Sequence, residues 1–202
     1  MQLVSQNNLQ ISDLVQALKE GQTFVYPTET CYGLGCDALN VEAVQKIFRI
    51  KKRDDGKPVL IVFPDIEMAM EYIDWNETLE TIASKYWPGP LTVVVDDLGK
   101  GNFPKGVRGN DGTIAFRISS HPFVQEITKA FEGPLVSTSA NVAGEENPYT
   151  AEDIQKRFSL EEVQPDIIID ANTLPPSPPS TVVKIENGQL VVLRQGSIYI
   201  EE

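Results

Sequence analysis

The sequence predicts an α/β fold built on a mixed, twisted β-sheet with flanking helices. Segments with the apolar spacing of helices alternate along the chain with short runs rich in β-branched and aromatic residues. Near the C-terminus, two such runs flank Asn187-Gly188, a strong short-range signal for a β-hairpin. Because a hairpin joins antiparallel strands, we expect a mixed sheet rather than a purely parallel one.

The helical segments have apolar residues three or four positions apart, which is typical of amphipathic helices. In the first segment, Ile11, Leu14 and Leu18 share one face, with Asn8 as a possible cap and Gly21 just beyond the end. The predicted helices cover residues 8–20, 40 to about 50, 65–73, 76–86, 121–131 and 150–158, and three of them are expected to begin at the capping residues Asn40, Asn76 and Thr150.

Short apolar runs bounded by glycine, proline or polar residues predict the strands. One of them, residues 113–118, alternates as a strand should, although its fifth member is Arg117. Residues 28–30 are expected to form an exposed polar turn, and residues 99–112 a mobile loop rich in glycine and charge. The predicted strands cover residues 23–26, 58–63, 91–95, 113–118, 134–136, 166–170, 180–185 and 189–194.

Composition and charge argue against several classes of protein. The chain has 202 residues, of which 41% are hydrophobic, and this length suits one large domain or two small ones. It has no apolar run of about 18 residues and no signal peptide pattern, so we expect a cytoplasmic protein without membrane association. A formal net charge of −12 should repel a polyanion, which argues against a dedicated nucleic-acid-binding module.

The cysteines and the glycine pattern narrow the possible cofactors. Cys31 and Cys36 are close in sequence, but a tetrahedral metal site needs more ligands than a chain with one histidine offers. We interpret both as small buried thiols in a reducing compartment and predict no protein-built metal site. Neither G-x-x-x-x-G-K-[ST] nor G-x-G-x-x-G occurs, so any nucleotide is bound without those loops.

Two polar stretches are poorly explained by packing. Residues 137–141, Ser-Thr-Ser-Ala-Asn, follow a buried run and should emerge at the carboxyl end of a strand, where open α/β sheets bind ligands. Lys51-Lys52-Arg53 falls at or just beyond the C-terminal turn of the second helix. A polar turn could explain the first stretch, and the helix dipole could explain one or two of the three cations. Together the stretches favour an anionic, hydrogen-bonding ligand.

Cations are concentrated near predicted strand ends and loops, although the chain is acidic overall. A local positive pocket of this kind suits a small ligand that carries phosphate. His121, at the start of a predicted helix, is interpreted as a cap or a packed ring rather than a catalyst. The cations concerned are Lys51, Lys52, Arg53, Lys57, Arg108, Arg117 and Arg194.

Six ordered motifs span residues 26 to 194. They are Tyr26-Pro-Thr-Glu-Thr-Cys-Tyr-Gly-Leu-Gly35, Lys51-Lys-Arg53, Trp87-Pro-Gly-Pro-Leu-Thr92, Ala115-Phe-Arg117 with His121-Pro122, Ser137-Thr-Ser-Ala-Asn141, and Pro179-Ser-Thr-Val-Val183 with Leu193-Arg194. This set resembles the YrdC/TsaC family. The resemblance implies an open, twisted, mixed α/β sheet with a concave, positively charged site, formed as a single domain over residues 1–202.

The resemblance also implies an activity. Family members of this type are L-threonylcarbamoyladenylate synthases, which join L-threonine, bicarbonate and ATP into threonylcarbamoyl-AMP and pyrophosphate. A downstream transferase complex uses the product to make threonylcarbamoyladenosine next to the anticodon of tRNA. By this resemblance, Mg²⁺ is held mainly through the triphosphate, and tRNA is bound weakly at most.

Site residues follow from the matching motif positions. Lys51 and Arg53 form the basic pair most tied to activity, and Arg117 is expected to hold the threonine carboxylate from its strand. The residues expected around L-threonine are Thr30, Arg117, Ser137 and Ser180. Those expected around ATP are Arg53, Lys57, Thr113, Ser139, Asn141, Asn147 and Arg194.

Departures from the family pattern and two alternatives are part of the prediction. Lys52 and Asp54 stand where the family often has glycine and proline, and Lys184 stands where aspartate is common. The main alternative is a non-catalytic, RNA-binding or ribosome-associated module of the same fold, which the net charge disfavours. A carbamoyl-adenylate-forming domain like those of hydrogenase maturation is a third possibility, although those chains are much longer and carry zinc-binding modules.

Overall fold

The structure, a computed structural model, describes residues 1–54, 56–186 and 188–200. Its strands form one sheet, and each strand is short, as expected for a twisted sheet. The strands are β1 (Gln2–Ser5), β2 (Phe24–Pro27), β3 (Tyr32–Gly35), β4 (Leu60–Phe63), β5 (Leu91–Asp96), β6 (Thr113–Ile118), β7 (Leu135–Ser139), β8 (Ile167–Asp170), β9 (Thr181–Glu186) and β10 (Gln189–Arg194).

The strand order is β1-β8-β2-β3-β7-β4-β6-β5-β9-β10. β8 pairs in parallel with β1 and β2, and parallel pairing also joins β4 to β6 and β5 to β9. The remaining neighbours, including β9 and β10, are antiparallel. The predicted mixed sheet and C-terminal hairpin are therefore confirmed, while the predicted turn residue Asn187 lies outside the described residues.

Helices flank the sheet near the predicted positions. Three begin at a predicted cap: the side chains of Asn40, Asn76 and Thr150 each accept a hydrogen bond from the backbone N–H three residues later. The first helix begins later than predicted, because Asn8 belongs to a short 3₁₀ turn and Gln10 is the residue before the helix. The helices are α1 (Ile11–Lys19), α2 (Val41–Lys51), α3 (Ile66–Tyr72), α4 (Glu77–Tyr86), α5 (Pro122–Phe131) and α6 (Ala151–Phe158).

Two strands were not predicted, and one extends further than expected. β1 is short and mostly exposed, and β3 contains two glycines, which are poor strand formers. Gly35 is needed there because a Cβ atom would lie 2.4 Å from the carbonyl oxygen of Val136 on β7. β7 continues through Ser139, so most of the polar stretch at 137–141 is strand rather than the turn that was the alternative explanation.

Helices cover one face of the sheet only in part. On this first face, α1 and α5 pack through side chains such as Leu14 and Ile127 against strand residues that include Leu135. α2, α3, α4 and α6 cover the opposite face and form the larger apolar cluster. Along β7, Leu135, Ser137 and Ser139 share the first face because side chains alternate along a strand. This face therefore changes from apolar beneath the helices to polar beyond them.

Residues 99–112 connect β5 and β6 without a helix or a named strand, as predicted. The loop is anchored by two buried apolar side chains, Phe103 and Val107. In the part of the chain that the structure describes, none of the helices has the length and apolar character needed to span a membrane.

Candidate active site

A cavity of about 340 Å³ occupies the uncovered part of the sheet face. Strands supply its base through small or polar side chains, such as Gly33, Thr92, Ala115 and Ser137. Small residues leave room for a ligand, and hydroxyl groups offer it hydrogen bonds. The side chains of Arg53, Arg117 and Arg194 also line the cavity, and its described lining includes no aspartate or glutamate.

Most of the predicted site residues meet at this cavity, although they come from distant parts of the chain. Four others, Lys51, Lys57, Thr113 and Asn141, do not belong to its lining. Thr113 is buried and donates its hydroxyl hydrogen bond to Asp111, 2.8 Å away. The predicted residues that do line the cavity are Thr30, Arg53, Arg117, Ser137, Ser139, Asn147, Ser180 and Arg194.

Arg117 lies on β6 at the most buried part of the cavity. Its side chain is only 4% exposed, and its Nη1 atom lies 3.3 Å from Oε1 of Glu29. This separation allows an ion pair, but Glu29 Oε1 and Arg117 Nε are buried without hydrogen-bond partners. The second carboxylate oxygen of Glu29 accepts a 2.7 Å hydrogen bond from the Ser119 hydroxyl. Residues 28–30 are thus not the predicted exposed turn, since Thr28 is buried and Glu29 is largely covered.

Arg53 and Arg194 are held by neutral groups. Arg53 donates from Nε to the carbonyl of Lys57 at 3.0 Å and from Nη2 to the carbonyl of Pro58 at 2.9 Å. Arg194 donates to the carbonyl of Ser180 from Nε at 3.1 Å and from Nη2 at 2.9 Å. Desolvation lowers the pKa of both guanidinium groups, and the charge of Arg117 adds to the effect at Arg194. These groups remain cationic, because the usual arginine pKa is far above neutrality.

The hydroxyl of Ser180 connects the end of the hairpin to β5. It lies 3.0 Å from the Thr92 hydroxyl and accepts a 3.0 Å hydrogen bond from Arg194 Nη2. Thr28 organises the opposite turn, because its hydroxyl accepts from the N–H groups of Thr30 and Cys31 at 3.2 and 3.3 Å. These bonds fix the hydroxyl groups that face the cavity before any ligand binds.

Lys51 is buried beside the cavity rather than within its lining. Its ammonium group donates to the carbonyl oxygens of Ser139 and Asn141, at 2.5 and 2.9 Å, and to Asn141 Oδ1 at 3.0 Å. An ammonium group has three N–H donors, so these acceptors use all of them. Burial and the charge of Arg53 lower the pKa of Lys51 to about 7. Lys51 therefore fixes the backbone that carries Ser139.

Two other cations of the predicted positive pocket, Lys52 and Arg108, pair with carboxylates away from the cavity, and so does Lys184, which departs from the family pattern. Lys52 is exposed and forms a 2.7 Å ion pair with Glu161. Arg108 pairs with the buried carboxylate of Asp97 at 2.8 Å, and Lys184 pairs with Glu186 at 2.8 Å. The interpretation that the whole cation set forms one pocket was therefore wrong for Lys52 and Arg108, because these side chains extend toward other partners.

The two cysteines are buried and the histidine is partly buried, and Cys31 also lines the cavity. Cys31 and Cys36 are both free and buried, as predicted, and burial raises the pKa of each thiol. His121 precedes α5, but its side chain makes no capping hydrogen bond and its Nδ1 atom is buried without a partner. Burial lowers the pKa of His121. Within the described residues, no group of three or more histidine, cysteine, aspartate or glutamate side chains is arranged to hold a metal ion.

The site also includes Thr28, Glu29 and Thr92, which were not predicted from the sequence. Thr28 and Thr92 line the cavity, and Glu29 pairs with Arg117 behind its surface. Thr92 gave a usable signal, as the polar member of the otherwise apolar run at residues 91–95. Glu29 gave none beyond its place between two threonines, because its partner lies far along the chain.

These features define an α/β protein with a cation-lined cavity on an open mixed sheet. A model of the Sua5/YciO/YrdC family, described as "Telomere recombination", matches residues 16–196. The chain therefore belongs to this family, which confirms the resemblance found in its motifs.

Individual relatives support the same assignment. The chain is 33% identical to the threonylcarbamoyl-AMP synthase of Chromohalobacter salexigens over 180 residues, which cover 89% of this chain and 94% of the relative. Its structure is similar to that of Escherichia coli YciO, with a TM-score of 0.82, 28% identity and coverage of 96% and 94%. It also matches Sua5 of P. abyssi complexed with L-threonine, with a TM-score of 0.85 and 29% identity. That match covers 96% of this chain and 57% of the Sua5 chain.

Proposed function

We propose that this protein is an L-threonylcarbamoyladenylate synthase, a nucleotidyltransferase that acts on L-threonine, bicarbonate and ATP. The observation that carries the proposal is the single cavity in which Arg53, Arg117 and Arg194 face hydroxyl-bearing strands. One cation would bind the amino acid carboxylate, and the others would bind phosphate oxygens. The names of the relatives support this function over the alternative of an RNA-binding module.

The division of roles follows from burial. Arg117 is the most enclosed of the three arginines, and Ser137 and Thr30 also line the cavity. A small amino acid fits such a pocket, so L-threonine would bind here with its carboxylate at Arg117. Arg53 and Arg194 are more exposed, which leaves room for the triphosphate and adenosine to extend toward solvent. Ser139 and Asn147 would complete the nucleotide side.

The reaction requires charge neutralisation more than covalent catalysis. The threonine amine attacks CO₂ derived from bicarbonate and loses a proton, which gives an N-carboxylate. A carboxylate oxygen then attacks the α-phosphorus of ATP, and the bond to the β-phosphate bridging oxygen breaks to release pyrophosphate. Arg53 and Arg194 would neutralise charge on the phosphoryl oxygens. Lys51 would act by holding Ser139 and Asn141 in place.

The remaining ligands and partners are part of the same proposal. A Mg²⁺ ion would be bound mainly by phosphate oxygens, because the described residues provide no carboxylate cluster. The product would pass to a downstream threonylcarbamoyl transferase complex in the cytoplasm, and the charge of −12 predicts weak tRNA binding at most.

The test measures pyrophosphate release from ATP with bicarbonate, with L-threonine, with L-serine and with neither. We expect release that depends on L-threonine and is lower with L-serine. Arg53→Ala should abolish it, whereas Lys52→Ala, a neighbouring cation paired with Glu161, should not. Release that is independent of any amino acid, or an Arg53→Ala variant with full activity, would contradict the proposal.

A further inference from the structure

Glu29 is an acidic side chain that pairs with Arg117, a cation of the cavity. It sits in the turn between β2 and β3, and its side chain is 14% exposed. A carboxylate beside a site for anionic ligands should weaken their binding by repulsion, so we expect Glu29 to have a role that offsets this cost. The hydrogen bonds of Glu29 indicate that role.

The Glu29 carboxylate is fixed from one side and faces Arg117 on the other. Ser119 donates its hydroxyl hydrogen bond to Glu29 Oε2 at 2.7 Å, and the same hydroxyl oxygen accepts from the His121 N–H at 3.2 Å. The other oxygen, Oε1, lies 3.3 Å from Arg117 Nη1. This connection runs from the start of α5 through Glu29 to a guanidinium that lines the cavity.

The pair is difficult to explain by stability alone. Buried ion pairs often add little to stability, because desolvation offsets the attraction between the charges. This one also leaves Glu29 Oε1 and Arg117 Nε without hydrogen bonds. Strand β6 fixes the Arg117 backbone, but the long side chain has several rotatable bonds. A fixed carboxylate beside one terminal nitrogen limits these rotamers and determines which N–H groups face the ligand.

We infer that Glu29 is a positioning residue that orients Arg117 for the carboxylate of the amino acid substrate, with Ser119 holding Glu29. This inference rests on the proposed function for the identity of the ligand. The contact between Glu29 and Arg117 does not depend on the identity of the ligand. Because Glu29 touches Arg117 and not the nucleotide-side arginines Arg53 and Arg194, it should affect amino acid binding selectively.

The kinetic test compares Glu29→Gln with Glu126→Gln, an exposed glutamate on α5. We expect Glu29→Gln to raise the KM for L-threonine about tenfold or more, because the loss of the group that orients Arg117 outweighs the relief of repulsion between Glu29 and the substrate carboxylate. The KM for ATP should change little, and Glu126→Gln should match wild type. Ser119→Ala should give a smaller rise of the same kind. Equal rises in both KM values would show a general structural defect and overturn the inference.

A double-mutant cycle tests whether Glu29 acts through Arg117. In the Arg117→Ala background, Glu29→Gln should cause no further rise in the KM for L-threonine. Effects that multiply would mean that Glu29 acts independently of Arg117, which would contradict the inference. The double variant also removes the unpaired buried charge that the Glu29→Gln single variant leaves, so it covers the case in which that variant folds poorly.

A measurement without substrate separates this inference from the proposed function. NMR of arginine side chains can follow the Nε–H group of Arg117, assigned by its loss in Arg117→Ala. We expect slow exchange with water in wild type and faster exchange in Glu29→Gln. An unchanged Arg117 signal would overturn the positioning role whatever the reaction. A changed signal in a protein that shows no threonine-dependent turnover would reject the proposed function alone.

Discussion

The cations of the cavity are held in two different ways at its buried and exposed parts. Arg117, in the buried part, has a carboxylate partner in Glu29. Arg53 and Arg194, in the more exposed part, donate to main-chain carbonyl groups instead. A carboxylate cancels much of the field of the cation, whereas a carbonyl orients the guanidinium and leaves its charge available. The buried part therefore suits a singly charged carboxylate, and the exposed part suits a polyanion.

The largest effects should come from removing one cation from either part of the cavity. Arg53→Ala is expected to lower kcat/KM for ATP by about 100-fold or more, because a cation near the developing phosphoryl charge is lost. Arg117→Ala should act chiefly on the KM for L-threonine. Steady-state kinetics with each substrate varied in turn would measure both. Two variants with the same pattern of kinetic changes would contradict the assignment of separate roles.

Lys51 differs from the three arginines of the cavity because it is buried and yet held only by neutral oxygens. Its pKa of about 7 in the folded protein lies below the unfolded value near 10.4. Between these values the unfolded chain binds one more proton, so raising the pH stabilises the folded state. Burial of the charged ammonium group lowers the free energy of unfolding by its full amount below about pH 7. This destabilisation decreases as the pH rises toward about 10.

The measurement is urea unfolding of wild type and Lys51→Met across this pH range. We expect the free energy of unfolding of wild type to rise relative to that of the variant, by at most about 1.4 kcal/mol per pH unit. Parallel pH curves for the two proteins would show that Lys51 does not titrate in this range.

The smallest effect is expected at Lys52, which lies between the two site cations but faces solvent. Its backbone is left-handed, with φ at 47°, and this conformation ends α2 and turns the chain toward Arg53. Glycine adopts this conformation without strain. Lys52→Gly should therefore keep full activity and change the free energy of unfolding by about 1 kcal/mol at most. Strong loss of pyrophosphate release would mean that the Lys52 side chain takes part in the site.

Local sequence signals were sufficient where neighbouring residues decide the structure. The caps at Asn40, Asn76 and Thr150 and the apolar spacing predicted α2, α4 and α6, because a helix is closed by hydrogen bonds within one short segment. Motif order also led to the family. β3 was missed because its glycines are poor strand formers in isolation, although one of them, Gly35, is required by the close approach of Val136 on β7.

The sequence by itself determined the class of fold, the family and eight of the residues that line the cavity, including its three arginines. Tertiary structure alone decided how those residues are held. Glu29 and Ser119 are 90 residues apart, and so are Lys51 and Asn141, so no local pattern records either contact. The order of the strands in the sheet brings these residues together. Because the site is shielded from water, each hydrogen bond there has a larger effect on how the side chains are held. The sequence therefore identifies the cations, and the fold determines which of them keep their charge available for a ligand.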